Sequence, residues 1–242
     1  GYFALKENTT GATNTAVGRL CLDANTTGSD NTAMGNGALG ANTTASNNTA
    51  IGSNALLLNT TGHSNVAMGH DAAEGHTTGE HNTIIGFEAG KSANTGNNNT
   101  SVGTAAGYSN SSGDNNTNYG RASGYQISTG NENVCIGRHA GFDVTSGDYN
   151  VCIGPQAGRG QVTTGDGDLY LARSNSAAGN SNTWIAGNAS GTCYQGDNTT
   201  SWSTVSDRRL KKNITDNTKG LAEIDQLRVA NFEYRTREEI DM

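Results

Sequence analysis

The sequence predicts an all-β solenoid, and two observations lead to that prediction: a strict 17-residue repeat and a composition dominated by Gly, Asn and Thr. Of the 242 residues, 34 are Gly, 31 are Asn and 31 are Thr. Hydrophobic residues make up only 33% of the chain and aromatic residues 6%, which is too little for the core of an ordinary globular enzyme domain. Such a composition fits either disorder or a repeat whose units each need only a thin core.

The repeat is visible as columns of like residues at a constant spacing. A glycine column keeps this spacing from Gly1 to Gly154 without an insertion, and an asparagine column runs from Asn14 to Asn150. A third column carries hydroxyl groups and comprises Thr10, Thr27, Thr44, Thr61, Thr78, Thr95, Ser112, Thr129, Ser146 and Thr163. Several columns that stay in phase over ten units indicate a structural repeat rather than a compositional accident.

Each unit predicts one main strand, a turn and a second, shorter segment. The strand reads Asn-Thr-Ala-x-Gly-x-x-Ala, and the shorter segment reads Asn-Thr-Thr-Gly. A 17-residue unit is short for a helical repeat, and glycine and β-branched residues disfavour helices. We therefore expect a β-solenoid or β-roll over residues 1–165, with coils stacked about 4.8 Å apart, followed by a β-rich connector over 166–206.

The two faces of the main strand are both uncharged. Thr15 and Val17 lie on one face, and Ala16 and Gly18 lie on the other. Because an exposed strand is normally polar on one side, we expect one face to line the interior of the coil and the other to pack against neighbouring chains. A parallel homotrimer is the expected assembly, and a monomeric roll with a tight interior is the alternative.

Residues 207–242 differ from the repeats. They hold 8 of the 15 basic and 8 of the 22 acidic residues but a single glycine. Apolar residues recur there at helical spacing and then alternate as in a strand, so we expect a separate, conventionally patterned α+β element. At the other end the chain starts in mid-repeat at Gly1, and we expect more solenoid before it.

Two motifs resemble known families. The Asn-Thr-Ala-x-Gly-x-x-Ala units resemble the β-roll heads of trimeric autotransporter adhesins and the repeats of bacteriophage tail fibres. The segment Ser206-Asp207-Arg208-Arg209-Leu210-Lys211-Lys212-Asn213-Ile214 resembles the start of the endosialidase-type intramolecular chaperone domain at the C-termini of phage tail spikes and fibres. Because the family domain is longer than the matching segment, this resemblance implies that residues 207–242 are the start of a chaperone domain truncated at Met242. It also implies a structural fibre segment in the virion tail, outside the cell, that mediates host attachment. The implied partners are two further copies of the chain, other virion tail proteins and a host cell-surface glycan or receptor.

The same resemblance implies chemistry at the junction. In that family the chaperone assists trimerisation and is then released by self-cleavage, which places the scissile bond between Ser206 and Asp207 with Lys211 as the base. A desolvated lysine can lose its proton near neutral pH and activate a hydroxyl group. The alternative is that Ser206 and Asp207 cap the next element and that the neighbouring basic residues form a solvated face. No external substrate is expected in either case.

One column of aromatic residues is a candidate binding surface. It holds Tyr108, Tyr125 and Phe142, flanked by Lys91 and Arg159. Stacked aromatic side chains on a solenoid are usually structural. They could also form a platform for sugar rings, which would suit a fibre that touches a cell-surface glycan.

Cysteines and histidines do not predict a metal or cofactor site. Cys21, Cys135 and Cys152 occupy columns that otherwise hold alanine, so we expect small buried thiols, and no CxxC spacing occurs. The chain also has histidines in two neighbouring coils, at His63, His70, His76 and His81. They fall in different columns, so we expect no convergent ligand set among them. The regular Asn column, in place of Asp, excludes a calcium-binding repeat.

Charge and hydropathy exclude further classes of function. The net charge of −7 argues against a nucleic-acid partner, and no run of about 18 apolar residues predicts a membrane span. Neither paired carboxylates nor a catalytic triad suggests an enzyme with an external substrate.

Two other classes stay open: a bacterial trimeric adhesin head, which would predict a coiled-coil stalk and a membrane anchor, and an ice-binding solenoid. The second needs regular exposed threonine pairs, whereas the Thr9/Thr10 pair changes to Ser111/Ser112 along the repeat.

Overall fold

The structure is a computed structural model, and it describes residues 1–172 and 183–195. Within these residues all regular secondary structure is β, which confirms the predicted all-β solenoid, and no helix is present that could cross a membrane. Twelve strands form one sheet in chain order. They are β1 (Thr15–Val17), β2 (Thr32–Met34), β3 (Thr49–Ile51), β4 (Val66–Met68), β5 (Thr83–Ile85), β6 (Thr100–Val102), β7 (Thr117–Tyr119), β8 (Val134–Ile136), β9 (Val151–Ile153), β10 (Leu169–Ala172), β11 (Thr183–Gly187) and β12 (Cys193–Gln195).

Strands β1 to β10 stack in parallel, one strand in each coil. Thr15 pairs with Thr32, and the same offset, equal to the sequence repeat, continues up to β9. Between β9 and β10 the offset is larger by one, because Tyr170 pairs with Cys152. The last coil therefore contains an additional residue.

This insertion corrects one detail of the predicted hydroxyl column. The N–H of Thr145 donates to the carbonyl oxygen of Thr163, and the N–H of Thr26 donates to the equivalent carbonyl of Thr43. Thr163 therefore continues the column of Thr26 and Thr145, and its predicted place in the column of Thr10 is wrong by one position.

The parallel stack ends in antiparallel strands. β11 pairs antiparallel with β10, with a register shift between Leu171 and Ala172, and β12 pairs antiparallel with β11. The parallel ladder itself runs to β10, a few residues beyond the predicted solenoid boundary at residue 165. The boundaries of the connector and of the C-terminal element stay predictions.

The turns use left-handed backbone conformations at equivalent positions in successive coils. Asp30 and Asn47 have φ values of 57° and 63°, which these residue types tolerate well. Leu39 adopts a φ of 52° while fully buried, an unusual conformation that the packing of the neighbouring coils must stabilise. In the glycine column, Gly86 has a φ of 140°, and a Cβ atom there would overlap the carbonyl oxygen of Gly103 in the next coil. Close stacking of the coils thus requires the glycine.

The interior is lined by the alanine face of the strands and by residues of the following turn. Ala33 and Ala50 are fully buried, as are Leu39 and Leu56. The buried apolar residues form two clusters, one in the earlier coils and one in the later coils. Between them the inward strand positions of β6 and β7 are the polar residues Ser101 and Asn118. The threonine–valine face of the strands points outward.

The asparagine column forms a hydrogen-bond ladder through the stack. The N–H of Asn48 donates to Oδ1 of Asn31 at 3.0 Å, and its Nδ2 donates to the carbonyl oxygen of Gly62 at 2.9 Å. The N–H of Asn65 donates in turn to Oδ1 of Asn48 at 2.9 Å. Since Asn48 is fully buried, its Oδ1 atom satisfies the N–H of Asn65, which would otherwise lie unpaired in the interior.

Candidate binding surface and junction

The predicted aromatic column is a continuous stack of rings. The centroids of Tyr108 and Tyr125 are 4.9 Å apart with an interplanar angle of 12°, and those of Tyr125 and Phe142 are 4.9 Å apart at 6°. These distances are close to the rise of about 4.8 Å per coil, so the backbone repeat sets the stacking. All three side chains are half-buried. We call these residues the aromatic strip; its binding of a ligand stays a prediction.

Positive charge lies at one end of the aromatic strip. The guanidinium carbon of Arg159 is 4.9 Å from the centroid of the Phe142 ring, within the range of a cation–π interaction. The ring of His139 lies between two arginines, with Nε2 at 3.0 Å from Nη1 of Arg121 and Nδ1 at 3.4 Å from Nη1 of Arg159. Burial, together with the charges of Arg159, Arg121 and Arg138, lowers the pKa of His139 and favours its neutral form. The positive charge at this end therefore comes from the arginines and not from His139.

At the other end of the aromatic strip, Lys91 is bound by carboxylates. Its Nζ atom lies 2.8 Å from Asp71, 2.9 Å from Glu88 and 3.8 Å from Glu74. The hydrogen bonds to Asp71 and Glu88 raise the pKa of Lys91. Burial by itself would raise the pKa of Asp71, but hydrogen bonds from Lys91 and Asn54 outweigh that effect, and the pKa is lowered. Lys91 is therefore engaged in a structural network.

The cysteines of the repeats are buried thiols, as predicted. Cys135 and Cys152 face each other in adjacent coils, and Cys21 donates from its Sγ atom to the carbonyl oxygen of Ala33 at 3.1 Å. The hydrogen bond with Cys152 and burial raise the pKa of Cys135 well above its usual range, and burial raises the pKa of Cys21. Low thiolate content and burial make these residues small core side chains rather than reactive groups.

Two of the four histidines do converge, which the sequence columns did not predict. Nε2 of His63 lies 2.9 Å from a carboxylate oxygen of Glu80, and the ring centroid of His81 is 5.1 Å from that of His63. His63 and Glu80 share one column and stack directly, and His81 lies in the adjacent column at the same corner. A comparison of ligand types between neighbouring columns, as well as within each column, would have found this group. His70 stacks instead on Phe87, and His76 is buried.

The first hydroxyl of each threonine pair takes part in the coil-to-coil ladder. Oγ1 of Thr9 donates to the carbonyl oxygen of Thr26 at 2.8 Å, and Oγ1 of Thr26 donates to that of Thr43 at 3.0 Å. Ser128 makes the same bond to Thr145 at 3.1 Å. Because these hydroxyl protons are used within the fold, the pairs are less suited to the regular external array that ice binding requires.

The predicted cleavage residues Ser206, Asp207 and Lys211 lie outside the described residues, as does the whole predicted α+β element over 207–242. Their proposed roles stay predictions.

Comparison with protein families identifies the C-terminal segment. Residues 206–241 match the family model described as Chaperone of endosialidase. The match starts at Ser206, on the N-terminal side of the predicted scissile bond, and extends over the segment whose composition differs from that of the repeats. Neither the curated proteins nor the solved structures yielded a match. The chain thus combines a β-solenoid with a C-terminal segment similar to the chaperone of endosialidase.

Proposed function

We propose that this chain is a structural segment of a bacteriophage tail fibre or tail spike that attaches to the host surface as a parallel homotrimer. The observation that carries the proposal is the order of its two parts, a parallel solenoid of 17-residue coils followed by a segment similar to the chaperone of endosialidase. A solenoid provides a stiff shaft with a repeated outer surface. A C-terminal chaperone suits a chain whose copies must align before their repeats fold, and it favours the viral fibre over a bacterial adhesin head.

The outward face of the strands supports assembly with further copies of the same chain. Large apolar side chains are exposed in one row along the stack, at Val17, Met34, Met68, Tyr119, Ile136 and Ile153, with exposed fractions between 38% and 58%. The parallel register holds them at equivalent positions in successive coils. We call this set the apolar row. An uncharged row of this extent is typical of an interface, and in a parallel trimer three such rows would meet at the common axis.

Self-cleavage between Ser206 and Asp207 is part of the proposal. The net reaction hydrolyses one peptide bond: one water is consumed, the new carboxylate stays on Ser206 and the new amino group belongs to Asp207. Lys211 acts as the general base that takes the hydroxyl proton of Ser206 as the serine oxygen bonds to the scissile carbonyl carbon, and it gives that proton to the nitrogen of Asp207 as the C–N bond breaks. Water then hydrolyses the resulting ester, which leaves the carboxylate and restores the serine hydroxyl group. The reaction takes place once in each chain and needs no external substrate.

Intact mass spectrometry of the purified full chain tests the cleavage. We expect the wild-type chain to yield a fragment that begins at Asp207, and the Ser206→Ala and Lys211→Met chains to stay whole. Lys212→Met is the matched control, because it removes the same charge one residue away and should still be cut. A wild-type chain that assembles but stays uncut would remove cleavage from the proposal, and cutting of the Lys211→Met chain would remove the lysine from its assigned role.

The aromatic strip is the proposed contact with the host surface. Sugar rings present flat C–H faces that pack on aromatic side chains. The arginines beside Phe142 would add hydrogen bonds to carboxylate or phosphate groups. We therefore expect the strip to bind surface glycans, with a preference for acidic ones.

A further inference from the structure

We propose that His63, Glu80 and His81 form a binding site for one divalent transition-metal ion, with Zn²⁺ as the ion that best fits the donors. The three side chains lie at one outer corner of two adjacent coils. Each offers a ligand atom within 4.8 Å of the other two. In a tetrahedral zinc site, nitrogen and oxygen donors lie about 2.0–2.2 Å from the metal and therefore about 3.3 Å from one another. The most widely separated donors therefore need to approach each other by at most about 1.5 Å.

The backbone already holds these donors in place. The N–H of His81 donates to the carbonyl oxygen of His63 at 3.2 Å, and the N–H of Glu80 donates to Oδ1 of Asn97 at 2.9 Å. The N–H of Asn98 donates to the carbonyl oxygen of Glu80 at 3.0 Å. All three ligand positions thus belong to the solenoid ladder. A site on such a regular backbone loses little conformational entropy when it binds an ion.

The ring of His63 is also oriented for metal binding. Its Nδ1 lies 3.2 Å from Oγ of Ser64, while its Nε2 faces Glu80 at 2.9 Å. When Nδ1–H donates to the hydroxyl oxygen, the lone pair of Nε2 is available to a metal, as in many histidine ligands. The side chains of His63 and Glu80 are 42% and 39% exposed, so an ion can enter from solvent and water can complete its coordination.

The donor set selects the class of ion. Two imidazole nitrogens and one carboxylate oxygen suit Zn²⁺ and its neighbours in the first transition row, whereas Ca²⁺ and Mg²⁺ prefer oxygen ligands. A simple surface ion pair between His63 and Glu80 would contribute little stability and would not involve His81. Neighbouring coils hold Ser46 and Asn97 in place of His63 and Glu80, which confines the site to one corner of the described coils.

Isothermal titration calorimetry of the metal-free, untagged full chain with ZnCl₂ tests this site. The substitutions His63→Ser, Glu80→Asn and His81→Asn each introduce the residue that an adjacent coil carries at that position. Asn98 has a φ of 55° at the position equivalent to His81, whose φ is 59°, so His81→Asn preserves the turn. We expect each change to weaken zinc binding by at least the roughly 10- to 100-fold that changes around metal ligands cause.

His70→Ser is the matched control, because it removes an exposed histidine outside the site and introduces the residue of Ser53 in the preceding coil. It should bind zinc like the wild type. Zinc should also raise the thermal unfolding midpoint of the wild-type chain but not of the His81→Asn chain, and excess Ca²⁺ should not compete. Zinc binding that is unchanged in His81→Asn, or weakened equally by His70→Ser, would overturn the three-residue site.

Discussion

Ile84 and Gly90 share one volume of the solenoid interior: Cδ1 and Cγ2 of Ile84 lie 3.0 Å and 3.2 Å from the point where a Cβ atom on Gly90 would stand. Ile84 is the inward residue of β5, and Gly90 belongs to the turn that follows. In an earlier coil the equivalent pair is Ala50 and Leu56. A large strand residue thus accompanies a small turn residue, and a small strand residue accompanies a large one. These two coils therefore divide the same interior space differently between strand and turn.

An exchange of sizes within this pair should be tolerated only when both residues change. Gly90→Leu alone should cost about 1–3 kcal/mol because the new side chain collides with Ile84. Ile84→Ala alone should cost about 2–4 kcal/mol because it leaves a cavity. The double variant reproduces the Ala50–Leu56 pair and should recover most of the loss, since Leu56 adopts a φ of 50° and Gly90 one of 54°. Urea unfolding of the wild type, the two single variants and the double variant gives the coupling energy between the two positions. If the losses of unfolding free energy in the two single variants simply add up in the double variant, the two residues do not share one volume.

The asparagine ladder should be sensitive to loss of a single amide. Asn48→Ala removes the acceptor of the Asn65 N–H and the donor to the carbonyl oxygen of Gly62. The buried N–H of Asn65 loses its acceptor, while the carbonyl oxygen of Gly62 keeps the hydrogen bond from Nδ2 of Asn59. We therefore expect a loss of about 1–3 kcal/mol in the free energy of unfolding. The control is Asn36→Ala, which changes an exposed asparagine. Equal losses in the two variants, measured by urea unfolding, would contradict the ladder's role.

His76 ends a second asparagine ladder, since the next residue of this column is Ala93. In the preceding coils, Nδ2 of Asn59 donates to Oδ1 of Asn42 at 3.1 Å. The next position is His76, and within the described residues neither Oδ1 of Asn59 nor Nδ1 of His76 has a hydrogen-bond partner. Burial lowers the pKa of His76 from 6.5 to about 4.

The free energy of unfolding should therefore decrease in mild acid because of His76. Its pKa in the folded chain lies below that in the unfolded chain, so the unfolded chain binds an extra proton between pH 6.5 and about pH 4. The stabilisation is fully present above pH 6.5 and is lost as pH falls through this range, by about 2 kcal/mol at pH 5. His76→Asn should remove this dependence and extend the ladder by one coil. The midpoints of urea unfolding at pH 7.5 and pH 5 measure both effects. His70→Asn is the control and should keep the acid dependence of the wild type. An acid dependence that is unchanged in His76→Asn would refute the assignment to His76.

The aromatic strip should be needed for glycan binding but hardly for folding. The triple variant Tyr108→Ala, Tyr125→Ala and Phe142→Ala should bind a panel of bacterial surface polysaccharides more than roughly tenfold more weakly, because it loses three stacking surfaces. Tyr149→Asn is the control, since Tyr149 is 60% exposed outside the strip and other coils carry asparagine at its position. Arg159→Gln should reduce binding of acidic polysaccharides selectively. Unchanged binding by the triple variant would exclude the strip as the host contact.

Much of the fold could be predicted from sequence because the repeat columns have direct structural causes. Gly86 allows the close approach of Gly103, and Asn48 satisfies buried backbone groups. Which strand face points inward could not be predicted, because Ala16 and Val17 both lie on uncharged faces. The additional residue before Thr163 could not be recognised in the sequence, because Thr163 and Thr164 are both threonine and a threonine therefore stands at the expected position of the hydroxyl column with or without the insertion.

The sites were harder to predict than the fold. The tyrosine and phenylalanine stack follows from a single column, so its geometry was evident. The group of His63, Glu80 and His81 joins two columns, and its convergence depends on the shape of the corner. Ser206 and Lys211 are common surface residue types, and only the resemblance of the surrounding segment distinguished them.

The central claim is that three copies assemble side by side through the apolar row, and native mass spectrometry of the full chain tests it most directly. We predict a dominant species that contains three copies of the 24.9 kDa chain, with or without the C-terminal segment. Met68→Glu with Ile136→Glu should give single chains because it places charges in the row, whereas Leu58→Glu, at an exposed apolar residue outside the row, should stay trimeric. A dominant single-chain species of the wild type would contradict the claim.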